Sequence, residues 1–485
     1  MFPVGDHVPV TTWMSASEQA AAVRSGEVSA AELVEASLEA IERLNGELNA
    51  VVTVVAEQAR AEAERVKPGD DRPLPGVPIV IKDLLQLTKG IRTTFGSAAG
   101  VDFVPPFDTA LVKKLRSAGA ILVGKTNTPE FGLLPTTEPR QFGATRNPWD
   151  RSRTAGGSSG GTAAAVASGM VALGHGNDGG GSIRIPASCC GLVGLKPSRG
   201  RISMAPLVPS AATLATDGFL TWTVADTAVA LDIAAGYEWG DFAWPPPPTR
   251  PFADAVGRDA GSLRIGVTTV APNGADVHPE CVAATEQAAT LLESLGHEVD
   301  EGAPRWDAEE FVERFKEVWI AELGTSVEAL GPVLAHPISP DQVEPLTREM
   351  LETARQMGVI QGFRALGTLR AYARRVVRWW ADHDVLVTPT LAQPPIPLGS
   401  LQPDPGEPAL QTLDKAGAFT PFTPPFNVTG QPAVSLPLHQ SADGLPIGVQ
   451  LVGPPAGEEV LLSLAAQLER AAPWSDTRPA VASAA

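Results

Sequence analysis

The stretch that decides the fold reads GGSSGG at residues 156–161 and, after a segment of small residues, DGGGSIRIP at residues 178–186. Glycine is favoured where the backbone must take a positive φ or approach a ligand closely. A serine beside several unobstructed backbone N–H groups is the arrangement that sets a nucleophile next to an oxyanion hole. Ser158 and Ser182 are therefore candidate hydroxyl groups for nucleophilic chemistry.

A single lysine upstream of these turns is the candidate base. Lys82 follows the apolar run VPIVI at 77–81 and precedes Asp83. The free pKa of a lysine, about 10.4, is too high for a base at neutral pH, but burial lowers it by several units. Taken alone, the position also fits a lysine at a strand end that pairs with Asp83 in solvent. The two serine turns favour the buried base.

A histidine base is not indicated. The chain contains seven histidines, and the sequence places none of them in a recognisable Ser-His-Asp arrangement. His175 lies near the second glycine turn, but the sequence shows no acidic partner beside it. We expect His175 to be structural, and no Ser-His-Asp triad is predicted.

Composition narrows the class of protein. Of 485 residues 44% are hydrophobic and 19% are charged, which is typical of a globular chain, and the net charge of −18 argues against nucleic acid or an anionic membrane as a partner. The three cysteines, Cys189, Cys190 and Cys281, make neither a disulfide framework nor a metal-binding spacing. Their pattern, together with a first segment that lacks the features of a secretory signal, predicts reduced thiols in a cytoplasmic protein.

Strand-like and helix-like segments alternate along the whole chain. This alternation predicts an α/β fold with a single large sheet, mixed but mostly parallel, covered by helices on both faces. We expect one domain over residues 1–485, with a catalytic core at 70–210 and a helix-rich segment at 300–385 that shapes the substrate pocket. Ser15-x-x-Glu18 and Ser29-x-x-Glu32 are capping boxes that predict two helix starts.

One motif points to a different class of function. GAILVGKT at 119–126 matches the P-loop pattern of NTPases. Its four middle residues, AILV, are typical of a buried strand, whose N–H groups pair within a sheet, and Thr128-Pro129 interrupts the position where a helix should begin. We therefore predict a strand here and no nucleotide site.

Three longer stretches carry a specific resemblance: GGSSGG, GNDGGGSIRIPAS at 176–188 and CGLVGLKP at 190–197. Together they resemble the amidase signature family. The spacing from Lys82 to Ser158 and the spacing from Ser158 to Ser182 both match the family, and the likeness extends from about residue 15 to residue 474. Within the family the chain most resembles amidases of the 6-aminohexanoate cyclic-dimer hydrolase group, through GKTNTPE at 124–130, FGATRNPW at 142–149 and PFNVTGQP at 425–432.

The resemblance implies a Ser-Ser-Lys triad. Ser182 would attack a carbonyl carbon, and Ser158, in a cis peptide, would connect it to Lys82 and pass the proton to the leaving amine. The implied oxyanion hole consists of the N–H groups of Gly179, Gly180, Gly181 and Ser182. The implied supporting residues are Ser159, whose hydroxyl would support Ser158, and Asp178 and Arg184, whose ion pair would hold the loop. Most family members carry threonine at the positions of Asn177 and Gly179.

The resemblance also implies an activity: hydrolysis of amides through an acyl-enzyme, without metal or cofactor. Linear or cyclic aminohexanoate-type oligomers, aryl amides and carbamates are all compatible substrates, and esters should react as well. One alternative is the amidase subunit of a tRNA-dependent amidotransferase. A second is a catalytically silent scaffold, against which the joint presence of Lys82, Ser158 and Ser182 argues.

Some predictions concern residues around the site. Trp319, in the helix-rich segment, either packs in the core or faces the substrate. Cys189 and Cys190 are expected to be buried small hydrophobic residues rather than nucleophiles. A homodimer is compatible with the sequence, which does not determine the oligomeric state.

Overall fold

The computed structural model describes residues 13–208, 212–475 and 477–479. They contain one sheet of eleven strands, in the spatial order β1-β3-β2-β4-β6-β5-β10-β11-β9-β7-β8. The strands are β1 (Val51–Val54), β2 (Pro78–Lys82), β3 (Ile121–Thr126), β4 (Leu173–Asp178), β5 (Val193–Lys196), β6 (Thr216–Thr221), β7 (Arg264–Val267), β8 (Glu298–Glu301), β9 (Val385–Pro389), β10 (Ala433–Gln440) and β11 (Pro446–Val452).

Fifteen α-helices accompany the sheet in the described residues. They are α1 (Ala16–Ser25), α2 (Ala30–Leu48), α3 (Ala56–Ala63), α4 (Ala110–Ser117), α5 (Gly160–Ala167), α6 (Arg184–Cys190), α7 (Val224–Ala234), α8 (Ala253–Val256), α9 (Pro279–Ser294), α10 (Ala308–Leu334), α11 (Pro345–Gln356), α12 (Val359–Val377), α13 (Thr412–Phe419), α14 (Pro424–Thr429) and α15 (Glu458–Ala471). Both predicted capping boxes are present, at the starts of α1 and α2.

The prediction of one large mixed sheet is confirmed, but the expectation that it is mostly parallel is wrong. Among the ten neighbouring strand pairs of the described chain, four are parallel: β2 with β3, β2 with β4, β7 with β8 and β7 with β9. The other six are antiparallel. Five of these antiparallel pairs form one run through the middle of the sheet, from β4 through β6, β5, β10 and β11 to β9.

Both faces of the sheet are covered, as predicted. Alternate residues of a strand point to opposite faces. On β2, Ile79 and Ile81 belong to one hydrophobic cluster and Val80 to another, and all three side chains are buried. A strand that is apolar at four successive positions, as β2 is from Pro78 to Ile81, needs such cover on each side.

Strand β3 replaces the P-loop that its sequence resembles. Residues 121–126 pair with both β1 and β2, and Lys125 is fully buried. Their backbone groups are used by the sheet, so they cannot enclose a phosphate.

Among the helices of the described residues, none is both long and apolar enough to cross a membrane.

The topology sets the position of the site. Strands β2 and β4 are parallel neighbours, and each ends at a polar residue, Lys82 and Asp178. Because parallel strands finish at the same sheet edge, these residues lie together. Helix α5 begins at Gly160, directly after the first serine turn, and α6 begins at Arg184, directly after the second. The crevice at the carboxyl ends of such strands is where α/β sheets commonly bind ligands.

Candidate active site

Lys82 is fully buried and contacts Ser158. Its Nζ lies 2.7 Å from Ser158 Oγ and 2.6 Å from Asn177 Oδ1. Asp83 is buried as well, and its Oδ2 accepts hydrogen bonds from the backbone N–H and the hydroxyl of Thr94. The solvent-exposed Lys82–Asp83 pair, the other interpretation of the sequence, is therefore not formed.

Burial lowers the pKa of Lys82 to about 7, although the nearby carboxylates of Asp178 and Asp217 act in the opposite direction. Lys125 and Lys196 are buried too, and burial lowers their pKa values to about 8 and about 7. The amines of these two lysines donate to backbone carbonyls, those of Gln86 and Pro197. What distinguishes Lys82 is its contact with a serine hydroxyl.

The two serine turns lie against each other. The peptide bond between Gly157 and Ser158 is cis, and the backbone N–H of Ser159 donates to the carbonyl of Ser182 at 3.2 Å. Ser158 and Ser182 line the same cavity, and 7% of Ser182 is exposed. The hydroxyl of Ser159 donates to the carbonyl of Asn177 at 3.3 Å, so the expected support of Ser158 by this hydroxyl is replaced by a contact with β4.

A buried ion pair holds the second turn. Arg184 donates through Nε and Nη2 to the two carboxylate oxygens of Asp178, at 3.0 and 2.8 Å, and both side chains are fully buried. Burial by itself raises the pKa of Asp178, but the Arg184 guanidinium outweighs it and holds that pKa well below its usual range. Asn427 donates to Asp178 and accepts from Arg184, so α14 braces the pair. Nothing in the sequence around Asn427 indicated this role.

The same carboxylate changes the predicted oxyanion hole. Asp178 Oδ1 accepts the backbone N–H of Gly181 at 2.7 Å. Gly181 is therefore removed from the predicted donors, because its N–H is already used. The N–H groups of Gly179, Gly180 and Ser182 donate to no group in the described part of the chain, and they remain available.

Gly181 has a different function, which is conformational. Its φ is +132°, and a Cβ at this position would collide with the hydroxyl of Thr423. That hydroxyl donates to the carbonyl of Gly180 at 2.7 Å. The turn before Ser182 can therefore close against α14 only because residue 181 has no side chain.

His175 is part of a buried network behind Lys82. Its Nε2 lies 2.9 Å from Asp217 Oδ1, and Gln86 donates to the other oxygen of Asp217 at 2.8 Å. Burial lowers the pKa of His175. Sequence reasoning missed Asp217 because this residue lies on β6, and only the pairing of β4 with β6 brings it to His175.

The three cysteines are not candidate nucleophiles. All are buried, and burial raises their thiol pKa values, which does not favour a thiolate. The prediction that Cys189 and Cys190 are buried small hydrophobic residues is confirmed.

Two cavities meet at Ser182. We call the first, of about 380 Å³, the aromatic chamber; its walls include Phe311, Phe315, Trp319, Gly180, Ser182 and Ile185. We call the second, of about 420 Å³, the leucine chamber; its walls include Leu84, Leu207, Leu323, Leu330, Ser158 and Ser182. Trp319 lines both, so this residue faces the site rather than only the core.

Comparisons with known proteins show what this chain is similar to. A family model described as Amidase matches residues 32–462. A 6-aminohexanoate-cyclic-dimer hydrolase from Paenarthrobacter ureafaciens is 41% identical over 97% of this chain and 97% of its own.

Solved structures show the same likeness. A 6-aminohexanoate cyclic dimer hydrolase complexed with substrate is 40% identical, with a TM-score of 0.92 over 98% of this chain and 100% of its own. A glutamyl-tRNA(Gln) amidotransferase subunit of Thermotoga maritima is 29% identical, with a TM-score of 0.77 over 96% of each chain. The chain belongs to the amidase signature family.

Proposed function

We propose that this amidase-family hydrolase cleaves carbon–nitrogen bonds of small apolar amides through Ser182, Ser158 and Lys82. One observation carries the proposal: a buried amine, with a pKa lowered to about 7, lies 2.7 Å from a serine hydroxyl at the wall of the cavity that also contains Ser182. A neutral amine in that position can accept a proton, as a general base must.

The first step forms an acyl-enzyme. Ser182 Oγ attacks the carbonyl carbon while its proton passes to Ser158 Oγ, whose own proton passes to the neutral amine of Lys82. The N–H groups of Gly179, Gly180 and Ser182 are the donors for the oxyanion. Ser158 then gives a proton to the amide nitrogen and regains one from Lys82, the carbon–nitrogen bond breaks, and the amine leaves.

The second step releases the acid. Water attacks the ester carbonyl of the acylated Ser182, and its proton travels through Ser158 to Lys82. The carbon–oxygen bond to Ser182 breaks, and the serine oxygen takes a proton back. No net proton stays on the enzyme after one turnover, and neither a metal nor an organic cofactor takes part in these steps.

The substrate class follows from the walls of the cavities and from the relatives. Both chambers are mainly apolar, and two relatives are named as hydrolases of the cyclic dimer of 6-aminohexanoate. We propose cyclic or linear aminohexanoate-type amides and aryl amides as substrates. Carbamates and esters also present a carbonyl beside a leaving group and fit the same steps.

The amidotransferase alternative is not favoured. The glutamyl-tRNA amidotransferase subunit is less similar to this chain than the cyclic-dimer hydrolases in both sequence and structure. A glutamine side chain would also leave most of the two apolar chambers unfilled.

The test is the release of amine from acyl-anilides and aryl carbamates by the wild type and by Ser182→Ala. We expect turnover in the wild type and a loss on the order of 10⁴-fold or more in the variant, as when a serine nucleophile is removed. Ser152→Ala is the matched control, because Ser152 lies in an exposed turn bonded to Asp150. Full turnover in Ser182→Ala, or none in the wild type with any substrate of the panel, would contradict the proposal.

A further inference from the structure

The aromatic chamber and the leucine chamber share one short stretch of wall, where Ser182, Trp319, Gly132 and Leu133 line both. We infer that the two chambers hold the two halves of one substrate: the acyl half in the aromatic chamber and the amine half in the leucine chamber. The favoured substrates are therefore secondary amides with an apolar group on each side of the carbon–nitrogen bond. This inference rests on the proposed function.

Ser158 decides which half belongs in which chamber. It lines the leucine chamber together with Asn177 and Gly179, and it is not among the residues that line the aromatic chamber. In the proposed steps Ser158 delivers a proton to the departing nitrogen, so that nitrogen must lie within hydrogen-bond reach of Ser158 Oγ. The amine substituent then extends into the leucine chamber, and the acyl chain extends past Gly180 into the aromatic chamber.

Trp319 is the partition between the chambers. Its ring stacks on Phe315 at a centroid distance of 5.7 Å, and Phe315 stacks on Phe311 at 5.6 Å. Each ring is four positions from the next on α10, and the three therefore form one row along the helix. The row fixes the indole at the point where the two halves of a substrate would diverge.

Gly179 allows the indole to take this position. A Cβ at residue 179 would lie 3.2 Å from both Cζ3 and Cη2 of Trp319, closer than an undisturbed contact permits. Glycine at 179 and tryptophan at 319 are thus a complementary pair, and together they determine the width of the passage between the chambers.

The leucine chamber also selects against small leaving groups. A primary amide, whose leaving group is ammonia, would leave this chamber empty and should be a poor substrate.

The test is a grid of N-alkyl amides in which the acyl and the amine chains are lengthened independently from two to eight carbons. We expect the wild-type kcat/KM to rise with both lengths, by up to about fourfold for each methylene that a chamber buries. A primary amide should be cleaved at least about tenfold more slowly than an N-alkyl amide with the same acyl chain, because its leaving group buries no methylene in the leucine chamber.

Two variants on the same helix, Phe315→Ala and Leu330→Ala, assign the chambers. Leu330→Ala should weaken the dependence on amine length and leave the dependence on acyl length, whereas Phe315→Ala should do the reverse. Trp319→Ala should raise the kcat/KM of substrates that are branched next to the carbonyl or the nitrogen, relative to unbranched substrates. Gly179→Ala should lower the same ratio. Thermal melting of each variant verifies that it is folded.

The outcomes separate the two proposals. If Phe315→Ala weakened the dependence on amine length and Leu330→Ala weakened the dependence on acyl length, the assignment of the two substrate halves to the two chambers would be overturned. Length dependence on one side only in the wild type would overturn the two-chamber inference while the proposed hydrolysis stands. Absence of any Ser182-dependent cleavage across the grid would overturn both.

Discussion

At the scale of the residue, the proposed chemistry depends on the environment of Lys82. The amine has two side-chain partners, Ser158 Oγ and Asn177 Oδ1. A neutral amine has one lone pair and two N–H groups, so an N–H donated to Asn177 leaves the lone pair free to accept the Ser158 proton. Asn177 also donates to the carbonyl of Leu84 at 3.3 Å, which orients its amide. We assign Asn177 as the positioning residue for the base.

Replacing Asn177 by aspartate should move the pH dependence of the reaction. In the wild type, kcat/KM should rise with pH through an apparent pKa of about 7, because only neutral Lys82 accepts a proton. In Asn177→Asp a carboxylate would lie beside the amine and stabilise the ammonium form. The acid limb should then shift upward by about 1–3 pH units, with activity recovered at alkaline pH. Initial rates measured from acid to alkaline pH report this shift.

The control is Asn273→Asp, which adds the same charge to the lining of the aromatic chamber, a lining that includes neither Lys82 nor Ser158. It should leave the apparent pKa of kcat/KM near the wild-type value, whatever its effect on the rate. If Asn177→Asp lowered kcat/KM at every pH without shifting its apparent pKa, the result would count against Lys82 as the titrating base.

The candidate residues themselves could be predicted from the sequence, but their partners could not. Lys82, Ser158 and Ser182 are identifiable from the glycine turns, the apolar run and the family spacing. The contacts made by Asn177, Asp217 and Asn427 depend on which strands and helices become neighbours along a chain that returns to the site several times. The hydrogen bond from the Gly181 N–H to Asp178 likewise depends on the geometry of the turn, which the sequence does not show. For this reason Gly181 was included among the predicted oxyanion donors.

At the scale of the element, the turn from Asp178 to Arg184 is held by a charge pair that has no access to water. Each group of the pair has further partners: Arg184 Nη1 donates to the carbonyl of Thr423 and to Gln450, and Asn427 bonds to both members. Loss of one member of such a pair leaves the other charge buried without compensation, which is strongly destabilising.

Arg184→Lys should therefore destabilise the protein and reduce activity together. Lysine keeps the charge but loses the planar fork that bonds both oxygens of Asp178. We expect a loss of about 1.5–3 kcal/mol in stability, measured as a lower melting temperature, because hydrogen bonds to a buried charge are lost while the charge itself is kept. Arg60→Lys is the matched control, since Arg60 makes the same two-pronged contact with Glu35 at the surface. Surface pairs add little, so its melting temperature should hardly change. Equal effects in the two variants would argue against the importance of the buried pair.

The elements with clear local signals were predicted, and those without were missed. Two helix starts, the apolar strand β2 and the strand nature of residues 121–126 follow from caps, periodicity and composition. Strands β4 and β6 read LGHGND and TDGFLT, and glycine, aspartate and asparagine are depleted in strands generally. Their neighbours in the sheet, rather than their own propensities, make them strands.

At the scale of the whole molecule, the sheet is continuous although the chain does not fill it in sequence order. Strand β5 pairs with β10, which comes much later in the chain, and β9 lies between β11 and β7. Alternating strands and helices predicted a single sheet, but strand direction depends on these distant pairings. This is the physical reason why a mostly parallel sheet was the wrong expectation.

The same long-range assembly forms the two chambers. The walls of the leucine chamber come from the segment after β2, the segment after β3, the segment before β6 and helix α10, which are widely separated in the chain. The family resemblance indicates the proposed nucleophile, whereas the shape of the cavity around it depends on how α10 packs over the sheet edge. Substrate preference is accordingly the property that the sequence alone could not supply.

The most direct test of the central claim is to locate the acyl group during turnover. We would quench the reaction of an acyl-anilide within the first turnovers and determine the acylated peptide by mass spectrometry, in the wild type and in Lys82→Met. We expect an ester on Ser182 in the wild type and strongly slowed acylation in Lys82→Met. An acyl group on Ser158 or on a cysteine, or wild-type rates of Ser182 acylation without Lys82, would contradict the proposed chemistry.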